Sequence, residues 1–395
     1  MSVSAEVRPR LPAWLWALAF TTFTFATDDY MIAGILPALS GDLGVTEAAA
    51  GQLVTGFSLT FALAAPVASV VTASWPRRRL LTAALSLFVV ANVAAAFTTS
   101  YPVLMGLRVL AALAAASVVP AAYAVAAQRA PDGRQGRYMA LVMGGLTGSL
   151  VLGVPIGTWV GGVLGWQATF GLGGLLGAVS LVAVRATLPG REPGLPEGAR
   201  PRVSLRPLAS APVVLGLLGI VASVTGSMML LTYLAPFLRD LAGAGPAELG
   251  WVFVMAGAAG FVGGQLGGRA ADRWGADRAL LAGVGGFTAV MGALTVCWWL
   301  RPLALVALLP PLLVWAAVSW WMPPPAQTRL LALAGPAGPQ ALALNSSAVY
   351  VGVSAGGVAG GIVLEMYGSG VLPAAAAVVE LAALALFWTA GRLRP

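Results

Sequence analysis

Two adjacent aspartates, Asp28 and Asp29, sit inside the apolar run "TFATDDYMIAGILPAL", and a single arginine, Arg108, sits inside another, "VLMGLRVLAALAAAS". A carboxyl group in such surroundings can hold or release a proton. Burial favours its neutral form, a neighbouring cation favours the ionised form, and a change of exposure decides between them. The chain has no histidine, so proton exchange near neutral pH must fall to carboxylates. All 22 basic residues are arginine. A Walker A loop needs lysine, which excludes an ATP-driven motor built from this chain alone. Histidine metal sites and Ser–His hydrolytic centres are excluded as well. Cys297 is the only cysteine, so no intramolecular disulfide can form.

The elements that carry these residues are apolar from end to end. Hydrophobic residues make up 59% of the 395 positions and charged residues 9%, against about 25% charged in soluble domains. Lipid is therefore the expected solvent. Twelve helices are expected, over 12–38, 48–73, 79–99, 101–128, 136–163, 166–188, 210–237, 247–270, 277–299, 302–327, 338–366 and 370–391. The first stretch is too long, and too polar near its end, for a signal peptide. The fold class is all-α: twelve transmembrane helices in two pseudo-symmetric six-helix bundles, 1–188 and 210–395. A cytoplasmic linker rich in Pro, Gly and Arg joins them over 189–209.

With the N-terminus inside, 19 of 22 arginines fall at cytoplasmic ends, which the positive-inside rule predicts for an even helix count with both termini in the cytoplasm. Only Arg239 and Arg301 fall in outer loops. The +8 charge is therefore a topology signal rather than a nucleic-acid footprint.

A shift of 199 residues superposes Pro37 on Pro236, Gly51 on Gly250 and Trp75 on Trp274. It also places Gly153, Gly157, Gly161 and Gly162 on Gly352, Gly356, Gly360 and Gly361. Glycines at i, i+4 and i+8 share one helix face and let backbones approach closely in lipid. Tight packing accounts for them, and so does a seam on which two halves rock. Parallel halves related by an axis along the membrane normal bind substrate near the midplane.

Chemistry is expected where the repeat fails. Asp29 falls on Met228 and Arg108 on Ala307. A charge at the bilayer centre costs about 2.5–3.5 kcal/mol, so such groups pair or face a cavity. Asp29 lies roughly 15 Å and Arg108 roughly 10 Å from the outer face at 1.5 Å per residue. The expectation is an Asp29–Arg108 pair in which Asp29 carries the proton. Asp28 is placed higher, on a wetted face. A static ion pair is the alternative. Glu380, mid-way along the last helix, reads as an inter-helix hydrogen bond, and Glu365 as an exposed rim charge. Tyr30, Gln52, Asn92, Tyr233, Trp320 and Asn345, with Ser346 and Ser347, are candidates for lining a substrate path.

Several segments are similar to one family. "GVPIGTWVGGVLGWQATF" (153–170) resembles the fifth-helix antiporter motif of drug:proton antiporters in the major facilitator superfamily. "TDDYMIAGILPALSGDLGVT" (27–46), "TYLAPFL" (232–238), "ALNSSAVYVG" (343–352) and "GGRAADRWGADRALL" (267–281) resemble the same subgroup, which includes chloramphenicol-resistance and arabinose or nucleoside efflux proteins. The resemblance implies that Gly153, Pro155, Gly157, Gly161, Gly162, Gly352 and Gly356 belong to conformational motifs. It assigns Asp272, Arg273 and Arg278 to a cytoplasmic lock. The first copy of that lock, "ASWPRRRLL", lacks its acid. Ala112 replaces an expected glycine, and Gln167 an arginine.

The expected function is export of a small drug-like molecule or antibiotic in exchange for protons, across a bacterial cytoplasmic membrane. The chain would act as a monomer, driven by the proton gradient with no bound cofactor. Efflux of a sugar, nucleoside or amino acid is the alternative within the class. A sensor that binds without transporting, or a uniporter, is the alternative outside it. A membrane hydrolase is disfavoured.

Overall fold

The computed structural model describes residues 11–72, 74–131, 134–190 and 206–393. Arg8, Arg10, Arg191, Arg200, Arg202, Arg394 and linker positions 191–205 lie outside the described residues.

The described residues form α-helices and short turns, with no strand among them. The helices are α1 (Ala13–Tyr30), α2 (Ile32–Leu43), α3 (Glu47–Val71), α4 (Arg77–Phe97), α5 (Tyr101–Gln128), α6 (Gln135–Gly148), α7 (Val154–Leu164) and α8 (Trp166–Thr187). They continue as α9 (Ala211–Thr232), α10 (Leu234–Ala242), α11 (Pro246–Trp274), α12 (Ala276–Trp299), α13 (Leu305–Trp321), α14 (Pro323–Ala334), α15 (Gly338–Tyr367) and α16 (Leu372–Arg392). Helices close every backbone hydrogen bond internally, which a chain in hydrocarbon requires.

Among the described residues, eleven helical stretches are long and apolar enough to cross a membrane. The expected first crossing departs from this. It is split at Met31 into α1 and α2, and two aspartates and four threonines make α1 more polar than its neighbours. The tenth crossing is also split, at Met322, and extends to Ala334 rather than 327.

Proline explains where helices are interrupted. It has no N–H and its ring crowds the carbonyl four residues back. Pro236 faces the carbonyl of Thr232, where α9 ends, and Pro325 faces that of Trp321, where α13 ends. Pro155 faces that of Val151, inside a π-helical segment, Ser149–Gly153, that separates α6 from α7. The Met31 break comes six residues before Pro37.

The offset of 199 reappears as geometry. Gly44 caps α2 with φ 65°, ψ 33°, and Gly243 caps α10 with φ 66°, ψ 24°. A left-handed residue at that position suits glycine because it has no Cβ. The glycine seams also match. Gly153, Gly157 and Gly161 of the fifth crossing lie against Thr27, Met31 and Ile35 of the first. Gly352, Gly356 and Gly360 of α15 lie against Val224, Met228 and Tyr233 of the α9–α10 region. Gly162, by contrast, is exposed. A Cβ at Gly356 would come 2.6 Å from the Met228 Cβ and 2.7 Å from the Thr225 carbonyl oxygen. Gly356→Ala is therefore expected to destabilise by about 1–3 kcal/mol through overpacking. A lower thermal midpoint in detergent would show it; an unchanged midpoint would mean that the helices separate without strain.

Large apolar side chains cover the exterior, among them Leu63, Val67, Val90, Val182 and Trp299. In water such a surface would be a liability, whereas in lipid it costs nothing.

Candidate functional site

The break at Met31 ends α1 directly after Asp28, Asp29 and Tyr30. Asp28 and Asp29 are 0% and 1% exposed, and Arg108, from the middle of α5, is 1% exposed. The arginine's closest carboxylate partner is Asp28: Nη1 donates to Oδ2 at 2.5 Å and to the Asp28 carbonyl at 3.3 Å. Asp29 Oδ1 lies 3.9 Å from Nη2, beyond hydrogen-bond range. The expected Asp29–Arg108 ion pair is present at this longer distance, with Asp28 the arginine's closer, hydrogen-bonded partner, and Asp28 sits on no wetted face. The phenyl ring of Phe57, on α3, closes the other side, its centroid 4.3 Å from the guanidinium carbon. That cation–π contact suits a desolvated arginine.

This centre holds polar groups without hydrogen-bond partners. Both Asp29 oxygens, Asp28 Oδ1, and Arg108 Nε and Nη2 are buried and unpartnered. Buried polar groups are ordinarily satisfied, so such a cluster points to work other than packing. Asn92 of α4 joins it through Gly173 of α8. A Cβ at Gly173 would come 2.9 Å from Asn92 Oδ1 and 3.0 Å from Asp28 Oδ1.

Aromatic residues adjoin the carboxylates. Tyr30 meets Trp320 edge-to-face with ring centroids 6.4 Å apart, and Phe61 stacks on Tyr350 at 3.8 Å. Asp29, Tyr30 and Tyr123 all lie within electrostatic reach of Tyr350. Asn92 and Tyr30 thus lie beside the centre, and Trp320 meets it through Tyr30. Phe57, Phe61 and Tyr350 were not foreseen, because an aromatic ring in an apolar helix carries no mark of the face it will present.

Two other expected path residues serve elsewhere. Tyr233 is fully buried, and its hydroxyl donates to the Gly357 carbonyl at 2.8 Å. Gln52 Nε2 donates to the same carbonyl at 3.4 Å. Both lie in the seam between α3 and α15, near the Glu47 end. Thr55 Oγ1 adds a donation to the Ser354 carbonyl at 3.4 Å, and the Tyr233 hydroxyl reaches the Ala48 carbonyl of α3 at 3.5 Å. Arg239 of α10 bonds Glu47 through both terminal nitrogens and reaches Asp240 Oδ1 at 3.0 Å. Tyr233 and Gln52 thus hold the chain's segments together here. Asn345 is buried on α15, roughly 8 Å of helix rise from Tyr350. Ser346 is exposed, its hydroxyl returning to the Leu342 carbonyl.

Asp272, Arg273 and Arg278 are exposed, and no ion pair among the described residues involves them. The pair formed in that region is Arg329 with Asp277, at 2.7 Å, and Arg329 Nη1 also donates to the Pro212 carbonyl. Glu365 is exposed, as a rim charge would be. Glu380 is fully buried and accepts a hydrogen bond from Ser223 at 2.8 Å, the inter-helix bond expected of it.

Comparison with known proteins agrees with this architecture. The D-xylose–proton symporter crystal structure superposes with a TM-score of 0.75 at 15% identity, covering 95% of this chain and 97% of that one. An inward-facing bacterial homologue of the lysosomal transporter Spinster gives 0.72 at 17%, covering 97% and 98%. At these identities the likeness is one of fold. In sequence, the chain is 35% identical over 354 residues to the uncharacterized MFS-type transporter YbcL of Bacillus subtilis, covering 89% and 88% of the two chains. It is 33% identical over 356 residues to a chloramphenicol resistance protein of Streptomyces lividans, covering 88% of each. The family model described as Major Facilitator Superfamily matches residues 18–339. The family match over most of the chain, with relatives 33–35% identical across nearly nine-tenths of it, places the chain in the Major Facilitator Superfamily, as a multi-pass membrane transporter.

Proposed function

We propose that this transporter exports a small drug-like molecule, chloramphenicol among the first candidates, in exchange for protons. The observation that carries this reading is the Asp28–Arg108–Asp29 centre. It contains one carboxylate engaged by the arginine and a second, equally buried, with no hydrogen-bond partner. A carboxyl so placed can be neutral in one conformation and ionised in another, which is what coupling to a proton gradient needs. The aromatic wall of Tyr30, Trp320, Phe61 and Tyr350 suits a substrate with an apolar or aromatic body. The substrate class is supported by the chloramphenicol resistance protein of Streptomyces lividans and by a chloramphenicol efflux pump of Mycobacterium tuberculosis, 28% identical over 388 residues.

In this reading α1 and α2 together make the first of twelve crossings. The two six-helix bundles are 1–188 and 210–395, joined by the 189–209 linker, with both termini in the cytoplasm of a bacterial inner membrane. The arginine distribution supports that orientation. A path that runs between two halves of one chain supports a working monomer. The seam between α3 and α15 is then the outer closure, and its donors let go when the transporter opens outward.

Inside-out vesicles carrying the protein are expected to accumulate chloramphenicol when the lumen is made acidic relative to the medium, and to lose the effect with a protonophore. Accumulation indifferent to the gradient would remove the coupling. Failure with chloramphenicol and a chemically diverse antibiotic panel would move the substrate to a metabolite.

A further inference from the structure

Glu380 takes no part in the centre described above. It lies eight residues into α16, on the side facing α9, and is fully buried. Ser223 Oγ donates to its Oε1 at 2.8 Å, while its Oε2 is buried without a hydrogen-bond partner. Oε2 faces Gly226: a Cβ there would stand 3.1 Å from it and 3.1 Å from the Ala376 carbonyl oxygen.

The pseudo-symmetric seam shows what this position requires for packing. Ser223 is the 199-shifted equivalent of Thr24, and Thr24 Oγ1 lies 3.0 Å from Ser180 Oγ of α8, both buried. A hydroxyl thus suffices to tie the first crossing to the sixth. In the second half the bond runs to a carboxyl one position further along. A carboxyl brings a second oxygen and a titratable proton that the contact itself does not need.

Among the described residues, no cation is placed to balance an ionised Glu380. On α9 the facing groups are Ser223 and Gly226, and α9 has no charged residue. On α12 the titratable groups are Asp277 and Arg278 at one end and Cys297 at the other. Asp277 lies level with Gly391, roughly 16 Å of helix rise from Glu380. Arg329 of α14 is held by Asp277. On α15 the titratable groups are Tyr350 and, near the far end, Glu365 and Tyr367, both exposed. An ionised carboxylate in this seam would be fully buried with no counter-ion beside it. The neutral acid fits, with Ser223 donating to one oxygen and the proton on the other.

We propose that Glu380 is a second proton-binding site, in the seam between α9 and α16, separate from the Asp28–Asp29–Arg108 centre. Its proton exchanges with water when α9 shifts against α16 and wets Oε2. The proposal does not depend on which substrate is carried.

The test is infrared difference spectroscopy of the full chain in liposomes, titrated in pH. A carbonyl-stretch band of a protonated carboxylic acid is expected that converts to carboxylate as pH rises. It should be absent in Glu380→Gln and retained in Asp29→Asn. Ser223→Ala should shift the band without removing it, because the proton stays while the hydrogen bond is lost. Calorimetric proton binding should fall by one proton per chain in Glu380→Gln. A band that Glu380→Gln leaves unchanged, or one that never titrates while the protein stays folded, would overturn the proposal. If Glu380→Gln does not fold, the Ser223→Ala shift decides: no shift means that the protonated acid is elsewhere.

Discussion

Asp28→Asn is expected to cost the folded protein about 3–5 kcal/mol, the range for removing one partner of a buried ion pair. Asp29→Asn, one residue away, should leave stability nearly unchanged and lower proton-driven flux by about 100-fold, on the scale set by loss of a positioned acid–base group. The geometry dictates the difference. Asp28 holds the guanidinium at 2.5 Å, and without its charge Arg108 is a cation in a dry interior. Asp29 stands 3.9 Å away with no hydrogen bond to either oxygen, so its amide gives up only the longer, weaker ion pair. Removing both partners, Asp28→Asn with Arg108→Gln, should recover much of the lost stability, since the cost lies in the charge left alone. Thermal unfolding in detergent and flux in proteoliposomes separate the two effects. Equal loss of stability in both single variants would mean that the aspartates share the arginine. Normal proton-driven flux in Asp29→Asn would remove it as the coupling site.

Cross-linking the α3–α15 seam is expected to stop turnover. A Cβ built at Gly361 lies 3.6 Å from the Cβ of Ala48, within the range of about 3.5–4.5 Å that a disulfide spans. Ala48→Cys with Gly361→Cys, in a Cys297→Ser background, should oxidise readily and abolish transport. A reductant should restore it. The Tyr233 hydroxyl, 2.7 Å from that Cβ, and Gln52 Nε2, at 3.0 Å, must yield slightly. Each single cysteine variant is therefore the necessary control. Transport that continues with the disulfide formed would show that this seam does not part during the cycle.

The fold was legible because lipid imposes long apolar helices, and because duplication left its punctuation in place: Gly44 with Gly243, and the glycines that seat Thr27 and Met31 in one half and Val224 and Met228 in the other. The interruption of the first crossing was not, since Pro37 lies well beyond Met31. In the site, residue type identified Asp28, Asp29 and Arg108 as a group but not which aspartate faces the arginine. Neighbours on a helix point about 100° apart, and two residues' error in a boundary reverses the choice. Tyr233 and Gln52 were placed beside the substrate on chemistry alone. A membrane helix is apolar on its lipid side and on its packed side, so periodicity gives little sign of which face looks inward. The same degeneracy hid Phe57 and Tyr350.

Apart from the Arg239–Glu47 pair, the polar contacts across the α3–α15 seam are side chains donating to backbone carbonyls: Gln52 and Thr55 of α3 to Gly357 and Ser354 of α15, and Tyr233 to Ala48 of α3. A helical carbonyl already accepts one bond within its own helix and uses its second lone pair here. When such a bond breaks, the acceptor is not orphaned and the freed donor can turn to water. Each contact then contributes about 1 kcal/mol net, and the half-exposed Arg239–Glu47 pair at most a similar amount. The energy is divided into small, separable steps, with no single bond whose rupture sets the rate. A closure of this kind has a shallow, stepwise barrier. It can hold a minority open state within thermal reach, and losing any one donor should speed its opening slightly without unlatching it.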